Sequence, residues 1–505
     1  MTAVAAPTTT TTDSVRARAA IETTAIALGL GLLADLLFRD AGLGLNAPLW
    51  IGALIAALLY TGRHREVQAT AVEIACLALA FLAAVGLVWR ASDEMQGFLF
   101  LASGAFVVLA VVVRSGLPWR RTGVAVFIGS ALAAGLAIAA GVHRAQASIE
   151  PQSRALRASK DGVGTAIRII ALGVPILLVF TLLLSSADAV FQEQLRWLTD
   201  VDLSEIGPHI FWLIVGTWFA GGVIWAAFDG HMRTVPEPAL SEARRLMSTE
   251  IGVILGSLAL LFAAFVAVQV RYLFGGHALV QHTIGLTYAE YARRGFFELV
   301  VAAMLLLPLL LVADWARRRG ERADLVYRVL AGLLVALLLV VMASALQRMR
   351  MYEQAYGLTE DRLYVVAILL WLAAVFTLFL RTLVVARNDW FVAGSIGAAA
   401  VVLLVLTVIN PDALIAERNI ARGSEVHPFD AEYAARLNAD AAPILVDHLG
   451  TLAPGDACTI ARSLLVRWGT GTGHDMRSWN WGRSAAARTV EQHRTELNLA
   501  CDVPR

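Results

Sequence analysis

The chain has 505 residues, of which 58% are hydrophobic and 16% charged, with a mean hydropathy of +0.67. A soluble domain carries about 25% charged residues, so this polypeptide has too little polar surface to cover its apolar mass as a water-soluble, single-core enzyme. Its formal charge of +1 lacks the basic excess of a nucleic-acid binder.

The first 20 residues, with Thr8 to Thr12 in a row, read as a disordered tail. Twelve stretches then approach the roughly 20 apolar residues that a bilayer core demands: about 21–38, 43–61, 68–89, 97–113, 122–142, 164–186, 209–229, 249–274, 296–314, 325–347, 362–382 and 389–409. In lipid every backbone N–H and C=O must pair within its own segment, so these runs are expected to be helices. The fold class that follows is all-α, a polytopic transmembrane bundle. A cleavable signal is not expected, because the first apolar run lacks a small-residue cleavage pattern.

A polar, basic linker at 143–163 divides the expected spans into a five-helix region, 21–142, and a seven-helix region, 164–409. Asn410-Pro411-Asp412 should stop the last span, since proline removes a donor and restricts the residue before it. Residues 410–505 are mixed and polar, long enough for a small domain.

Basic residues collect in short cytoplasmic loops. Among the loops bordering the seven-helix region, a first alternating set holds thirteen: Arg144, Arg154, Arg157 and Lys160, then Arg233, Arg244 and Arg245, then Arg317, Arg318, Arg319 and Arg322, then Arg381 and Arg387. The intervening loops hold five, Arg196, Arg293, Arg294, Arg348 and Arg350. The first set is expected to face the cytoplasm of a cell membrane, leaving the C-terminal domain outside. Twelve spans would then place both termini together, whereas Arg16 and Arg18 suggest an internal N-terminus.

Three loops on the expected outer face stand out. Residues 185–207 hold Asp188, Glu193, Asp200, Asp202 and Glu205 against one Arg196. Phe191, Leu195 and Leu198 recur there at helical spacing, so the loop reads as an interfacial amphipathic helix or as a mouth where Asp188 meets a cation or substrate. In GLTYAEYARRGFFEL, 285–299, Thr287 and Glu290 form a capping box, and Glu290, Arg294 and Glu298 follow at four-residue steps. Tyr288, Tyr291 and Arg293 belong to the same loop. This charged stripe is either a self-paired surface network or a functional site at the membrane edge. In RMRMYEQAYGLTEDRLY, 348–364, Gly357 suits a helix C-terminus and Glu360 and Asp361 suit the start of the next helix. Tyr352 and Tyr356 share a face there, with Arg362 beyond, and an interfacial belt is the plainer reading. Gly-Leu-Thr recurs at 285–287 and 357–359, a weak sign of repeated hairpins.

Asp35, Glu73 and the four-apart pair Asp324 and Arg328 are ionisable groups in or near spans, suited to an ion path or to joining helices. Cys76 reads as core packing; Cys458 and Cys501 would join in an oxidising compartment, or stay as two buried thiols. The GTGTG run at 469–473 lacks the lysine of a phosphate loop, the histidines lack metal-ligand spacing, and no nucleophile elbow occurs. No catalytic residue, metal or cofactor is therefore expected.

The segments ALGVPILLVFTLLLSSADAVF, TYAEYARRGFFEL, YEQAYGLTEDRLY, NPDALIAERNIAR with NADAAPIL, and RSWNWGRSAAAR occur in that order over 164–485. They resemble a bacterial family of multispanning membrane proteins known only as a domain of unknown function. The resemblance implies an integral membrane protein and carries no activity with it. Three functions compete: a transporter, an envelope enzyme using Asp40, Asp188 or Glu290 as a general base on a lipid-linked substrate, and a scaffold or sensor. In the last, the outer domain meets an extracytoplasmic protein or lipid, with Trp479 and Trp481 as anchors or as core. Without a reactive constellation, the non-enzymatic readings lead.

Overall fold

The structure, a computed structural model, describes residues 9–118, 122–153, 203–228, 245–274, 296–318, 320–385, 390–423, 428–469 and 475–501. Regular structure among them is helical, with one isolated bridge between Leu246 and Arg317. The long helices are α1 (Thr9–Phe38), α2 (Asn46–His64), α3 (Ala71–Trp89), α4 (Asp93–Arg114), α5 (Val124–Ser153), α6 (Leu203–Phe228), α7 (Ser248–Phe274), α8 (Phe296–Ala316), α9 (Glu321–Tyr356), α10 (Glu360–Val385) and α11 (Phe391–Ile409). Shorter ones follow: α12 (Pro411–Arg422), α13 (Ala431–Arg436), α14 (Ala442–Asp447), α15 (Pro454–Trp468), α16 (Trp481–Gln492) and α17 (Arg494–Leu499).

Ten of these helices are long and apolar enough to cross a membrane. The expected span at 43–61 corresponds to α2, which falls outside those ten, and the one at 164–186 lies outside the described residues. The protein is an all-α polytopic bundle. Its apolar residues also point outward: Val253, Leu260 and Leu261 of α7 are exposed. A helix that is hydrophobic all round suits lipid, not water. At its start α1 reaches back to Thr9, where the alanines at 17, 19 and 20 favour helix, and α5 continues to Ser153, into the basic stretch that begins at 143.

The chain forms two compact units, neither a continuous stretch. One comprises residues 1–77, 107–115 and 131–233; the other comprises 78–106, 116–130 and 234–505. In the first, α1 packs along α6, and α5 approaches α6 so closely that a Cβ on Gly222 would stand 2.1 Å from the Ile138 carbonyl oxygen. Polar side chains tie its helices together. Arg114 pairs with Glu73 at 2.8 Å, and the Arg114 and Arg65 guanidinium groups lie 4.1 and 5.4 Å from the Phe228 ring centre. His209 meets Asp35 at 2.9 Å.

The second unit has two cores. Its membrane core gathers Leu334, Leu338 and Tyr327 of α9, Phe376 of α10, Leu310 of α8 and Leu255 of α7. With 36 residues, α9 is about 54 Å long, well beyond the roughly 30 Å of hydrocarbon. The C-terminal helices α12 to α17 build the other core around Ile415, Val446, Ile460, Ala461, Ala486 and Val490. Two residues from far away in the chain complete it: Ala91, between α3 and α4, and Leu358, between α9 and α10. Cys458 and Cys501 are joined, with Cα atoms 4.6 Å apart, and Cys76 is a buried thiol.

Candidate functional site

Every helix leaves unpaired N–H groups at its start and unpaired carbonyls at its end. In the second unit, three helix ends at the C-terminal domain find partners from elsewhere in the chain. Asn480, fully buried just before α16, donates from Nδ2 to the carbonyls of Leu87 and Arg90 at 2.8 Å each, closing the end of α3. Its Oδ1 accepts from Arg483 N–H at 3.0 Å and so caps α16 as well. Arg90 turns the other way and donates to the last carbonyls of α11, Thr407 at 2.6 Å and Val408 at 3.1 Å. At the start of α10, the Glu360 N–H donates to the Tyr433 hydroxyl at 3.1 Å.

Asn419 of α12 grips the Gly357–Leu358 turn on both sides, accepting from Leu358 N–H at 2.7 Å and donating to Leu358 O at 2.8 Å. Gly357 has φ +81, the left-handed region that favours glycine, as expected from the sequence. Asn410, the cap of α12, accepts from Ala413 N–H at 3.3 Å and donates to the Asp440 carbonyl at 3.4 Å.

Two carboxyl groups lie inside this junction. Asp440 Oδ2 accepts from Ala91 N–H at 2.7 Å. Burial raises its pKa even though the Ala91 amide, Arg90 and Arg483 favour the charged form. Asp412 is fully buried, and it faces the Glu360 side chain and the Asn438 backbone without closing a hydrogen bond of normal geometry on either oxygen. Desolvation pushes its pKa up to about 6, with Asp440 and Glu94 adding negative charge and Glu360 and the Asn438 amide pulling it down. Burial lowers Arg90 and Arg483, against the pull of nearby carboxylates, and raises the Tyr433 hydroxyl to about 12. Asn438 Nδ2 donates to Glu360 Oε1 at 3.4 Å.

Gly482 passes against the same carboxyl. A Cβ there would meet Asp440 Oδ1 at 2.2 Å and the Ala91 methyl at 3.0 Å. Gly482→Ala should therefore destabilise the junction by about 1–3 kcal/mol, read as a lower melting temperature of the purified chain; an unchanged melt would mean that Asp440 can move aside freely.

Of the residues singled out in the sequence, Asp188, Tyr288, Glu290, Tyr291, Arg293 and Arg294 lie outside the described residues. Glu298 is exposed in the first turn of α8. Tyr352, Tyr356 and Arg362 come together: the tyrosine rings are 4.9 Å apart, and the Arg362 guanidinium lies 4.3 Å from the Tyr352 ring centre while donating to Gly357 O. Beside them is a cleft of about 690 Å³ lined by Tyr356, Arg422, Phe429, Asp430, Glu432 and Asp456. Trp481 is half exposed and meets Trp479 edge to face at 6.4 Å. The expected pairing of Asp324 with Arg328 is replaced. Asp324 meets Arg317 instead, because the short turn between α8 and α9 brings the end of one helix against the start of the next.

Arg90, Asp412, Tyr433, Asn438, Asp440 and Asn480 do not stand out in the sequence as a site. The signal lies in the family-like segments: YGLTEDRLY, NPDALIAERN, NADAAPIL and RSWNWGR each place at least one residue in the junction. Among the described residues, no three His, Cys, Asp or Glu side chains converge as metal ligands.

A bundle of apolar helices whose ends are capped by a small helical domain defines a multispanning membrane protein. Residues 77–448 match the family described as a domain of unknown function, DUF4153, and the chain belongs to that family. No curated protein and no solved structure matches the chain.

Proposed function

We propose that this protein is a non-enzymatic scaffold or sensor of the cell envelope, whose membrane bundle holds the C-terminal domain on the extracytoplasmic face for a protein or lipid partner. One observation carries the reading. Asn480, Arg90 and Tyr433 are spent on capping helix ends, and Asp412 and Asp440 are buried, so the junction joins the two regions and faces no substrate. The Cys458–Cys501 link and the thirteen basic residues in alternate loops support the outward placement. The exposed face of Trp481 supplies an amphipathic anchor for a partner.

Sidedness is tested with Val466→Cys, a highly exposed position on α15. With Cys76 buried and the other two cysteines joined, the new thiol is the accessible one. A membrane-impermeant maleimide should label it in intact cells. Labelling that appears only after lysis would overturn the outward placement. A changed set of envelope lipids in a deletion strain, restored by the wild-type gene but not by Asp412→Asn, would favour the enzymatic alternative.

A further inference from the structure

At the other end of the second unit, a cavity of about 760 Å³ opens among the start of α5, the end of α8, the start of α9, the end of α10 and the start of α11. Its inner walls are apolar, formed by Val124, Leu307, Leu311, Phe379 and Leu383. Ile128 and Val312 also line it and are each more than half exposed, so the slot opens sideways onto the surface that meets acyl chains. The lining segments lie near helix termini and include Trp315, which places the mouth where hydrocarbon gives way to head groups. The volume is that of a small-molecule pocket.

All the helix ends that meet here contribute charge to the mouth. At the turn between α8 and α9, Arg317 donates from Nε to Asp314 Oδ1 at 2.9 Å and also meets Asp324; Asp314 has a further partner, so both carboxylates are engaged. Arg318 and Arg245 stand at the same turn. The Arg318 N–H donates to Leu246 O at 2.9 Å, and Arg245 Nη1 donates to Arg317 O at 3.4 Å. Arg322 lies in the first turn of α9 and Arg381 in the last turns of α10. With Arg328 these make six arginines, against Asp314, Asp324, Glu321 and Glu250. In the adjoining segments outside the described residues, the sequence adds Arg120, Arg121, Arg244, Arg319 and Arg387 against Glu242 and Asp389. The rim is therefore basic. Arg328 is exposed, lines the cavity and makes no ion pair among the described residues. The first turn of α5, whose N–H groups have no acceptor within the helix, lines the same cavity.

We propose that this cavity seats an anionic glycerophospholipid, with its phosphate between Arg328 and the first turn of α5 and the upper portion of one acyl chain along Leu307, Leu311 and Phe379. Its net negative head group matches the basic rim. A head group bearing an ammonium would set a further positive charge among the arginines, and a soluble phosphate would leave the apolar slot unfilled. The site requires only the membrane bundle and no partner for the C-terminal domain.

The test uses the full-length purified chain in phosphatidylcholine nanodiscs at about 0.15 M salt. The discs are doped with acyl-brominated phosphatidylglycerol, phosphatidylethanolamine or phosphatidylcholine at equal fractions. The quenching of Trp315, isolated as the difference between wild type and Trp315→Phe, should be strongest with phosphatidylglycerol. Arg328→Ala, an exposed substitution measured in the same way, should weaken that preference about tenfold, the worth of one charge-assisted contact. Arg322→Ala removes another exposed charge, one that does not line the cavity, and should cost less than about twofold because salt screens it. Glycerol phosphate in solution should leave the quenching unchanged. Equal quenching by the three lipids would show an ordinary lipid annulus. Equal losses from Arg322→Ala and Arg328→Ala would show a diffuse basic field, and reversal by glycerol phosphate would show a site for a soluble anion. Each of these overturns the proposal, as does a preference for phosphatidylethanolamine or an Arg328→Ala variant indistinguishable from wild type.

Discussion

Asn480→Ala should be among the most damaging single substitutions in the C-terminal domain. It removes both donors from the end of α3 and the acceptor that caps α16. The Arg90 carbonyl keeps the Gln96 side-chain donor at 3.0 Å, so the uncompensated losses are the Leu87 carbonyl and the Arg483 amide. At about 1–3 kcal/mol for each buried group left unpaired, the expected cost is about 2–6 kcal/mol. Asn480→Asp tests the mechanism further. It preserves the acceptor for Arg483 but turns a carboxylate toward two carbonyl oxygens, so it should destabilise at least as much as alanine. Thermal melts and limited proteolysis of the detergent-purified chain read both variants. A melt equal to that of wild type for either one would remove Asn480 from the account of how the domain is held.

Asp412→Asn should act in the opposite direction at neutral pH. The ordinary carboxyl value is 3.8 and the folded environment pushes Asp412 up to about 6, so between those values the folded state holds a proton that the unfolded chain releases. The contribution of Asp412 to stability is then fully present below about pH 4, is lost as pH rises through 4–6, and levels off above; a displacement of about two units corresponds to about 3 kcal/mol. Asparagine has no charge to bury. The variant should lose this slope and melt higher than wild type above pH 6. The titratable groups facing Asp412 come from several elements: Glu94 of α4, Glu360 of α10, Asp440 ahead of α14 and Arg90 between α3 and α4. A difference curve between the two proteins that is flat from pH 4 to 7, or that slopes the other way, would mean that Asp412 is charged and paired in the folded state.

The fold is far more legible in the sequence than the junction. Lipid imposes one rule on every span, internal pairing of the backbone over about 20 apolar residues, and runs such as LVALLLVVMA in α9 obey it locally. The stop at Asn410-Pro411 is local too, and α11 ends at Ile409. The junction follows no such rule. Asn480 and the carbonyls it caps are separated by 390 and 393 positions, and Asp440 lies 349 from Ala91, so no spacing or periodicity connects them. Charge density draws attention to the loops at 185–207, 285–299 and 348–364, whereas the junction relies mostly on single residues, half of them neutral amides or hydroxyls. Asp412 reads as a component of a helix stop, and its burial depends on α10 and on the turn before α14, which the local sequence does not reveal. Asp324 and Arg328 illustrate the converse: correct helical spacing makes them look paired, and a neighbouring helix end supplies a nearer partner.

The long reach of Asn480 also orders the events of synthesis. The Leu87 carbonyl leaves the ribosome 393 residues ahead of the amide that will pair with it, so the α3–α4 hairpin must enter the bilayer and wait, its rim unfinished, while nearly all the remaining chain is made. Maturation of this early hairpin is therefore tied to translation of the last few dozen codons, and a nascent polypeptide cut short near its end carries its defect at a site built near the beginning.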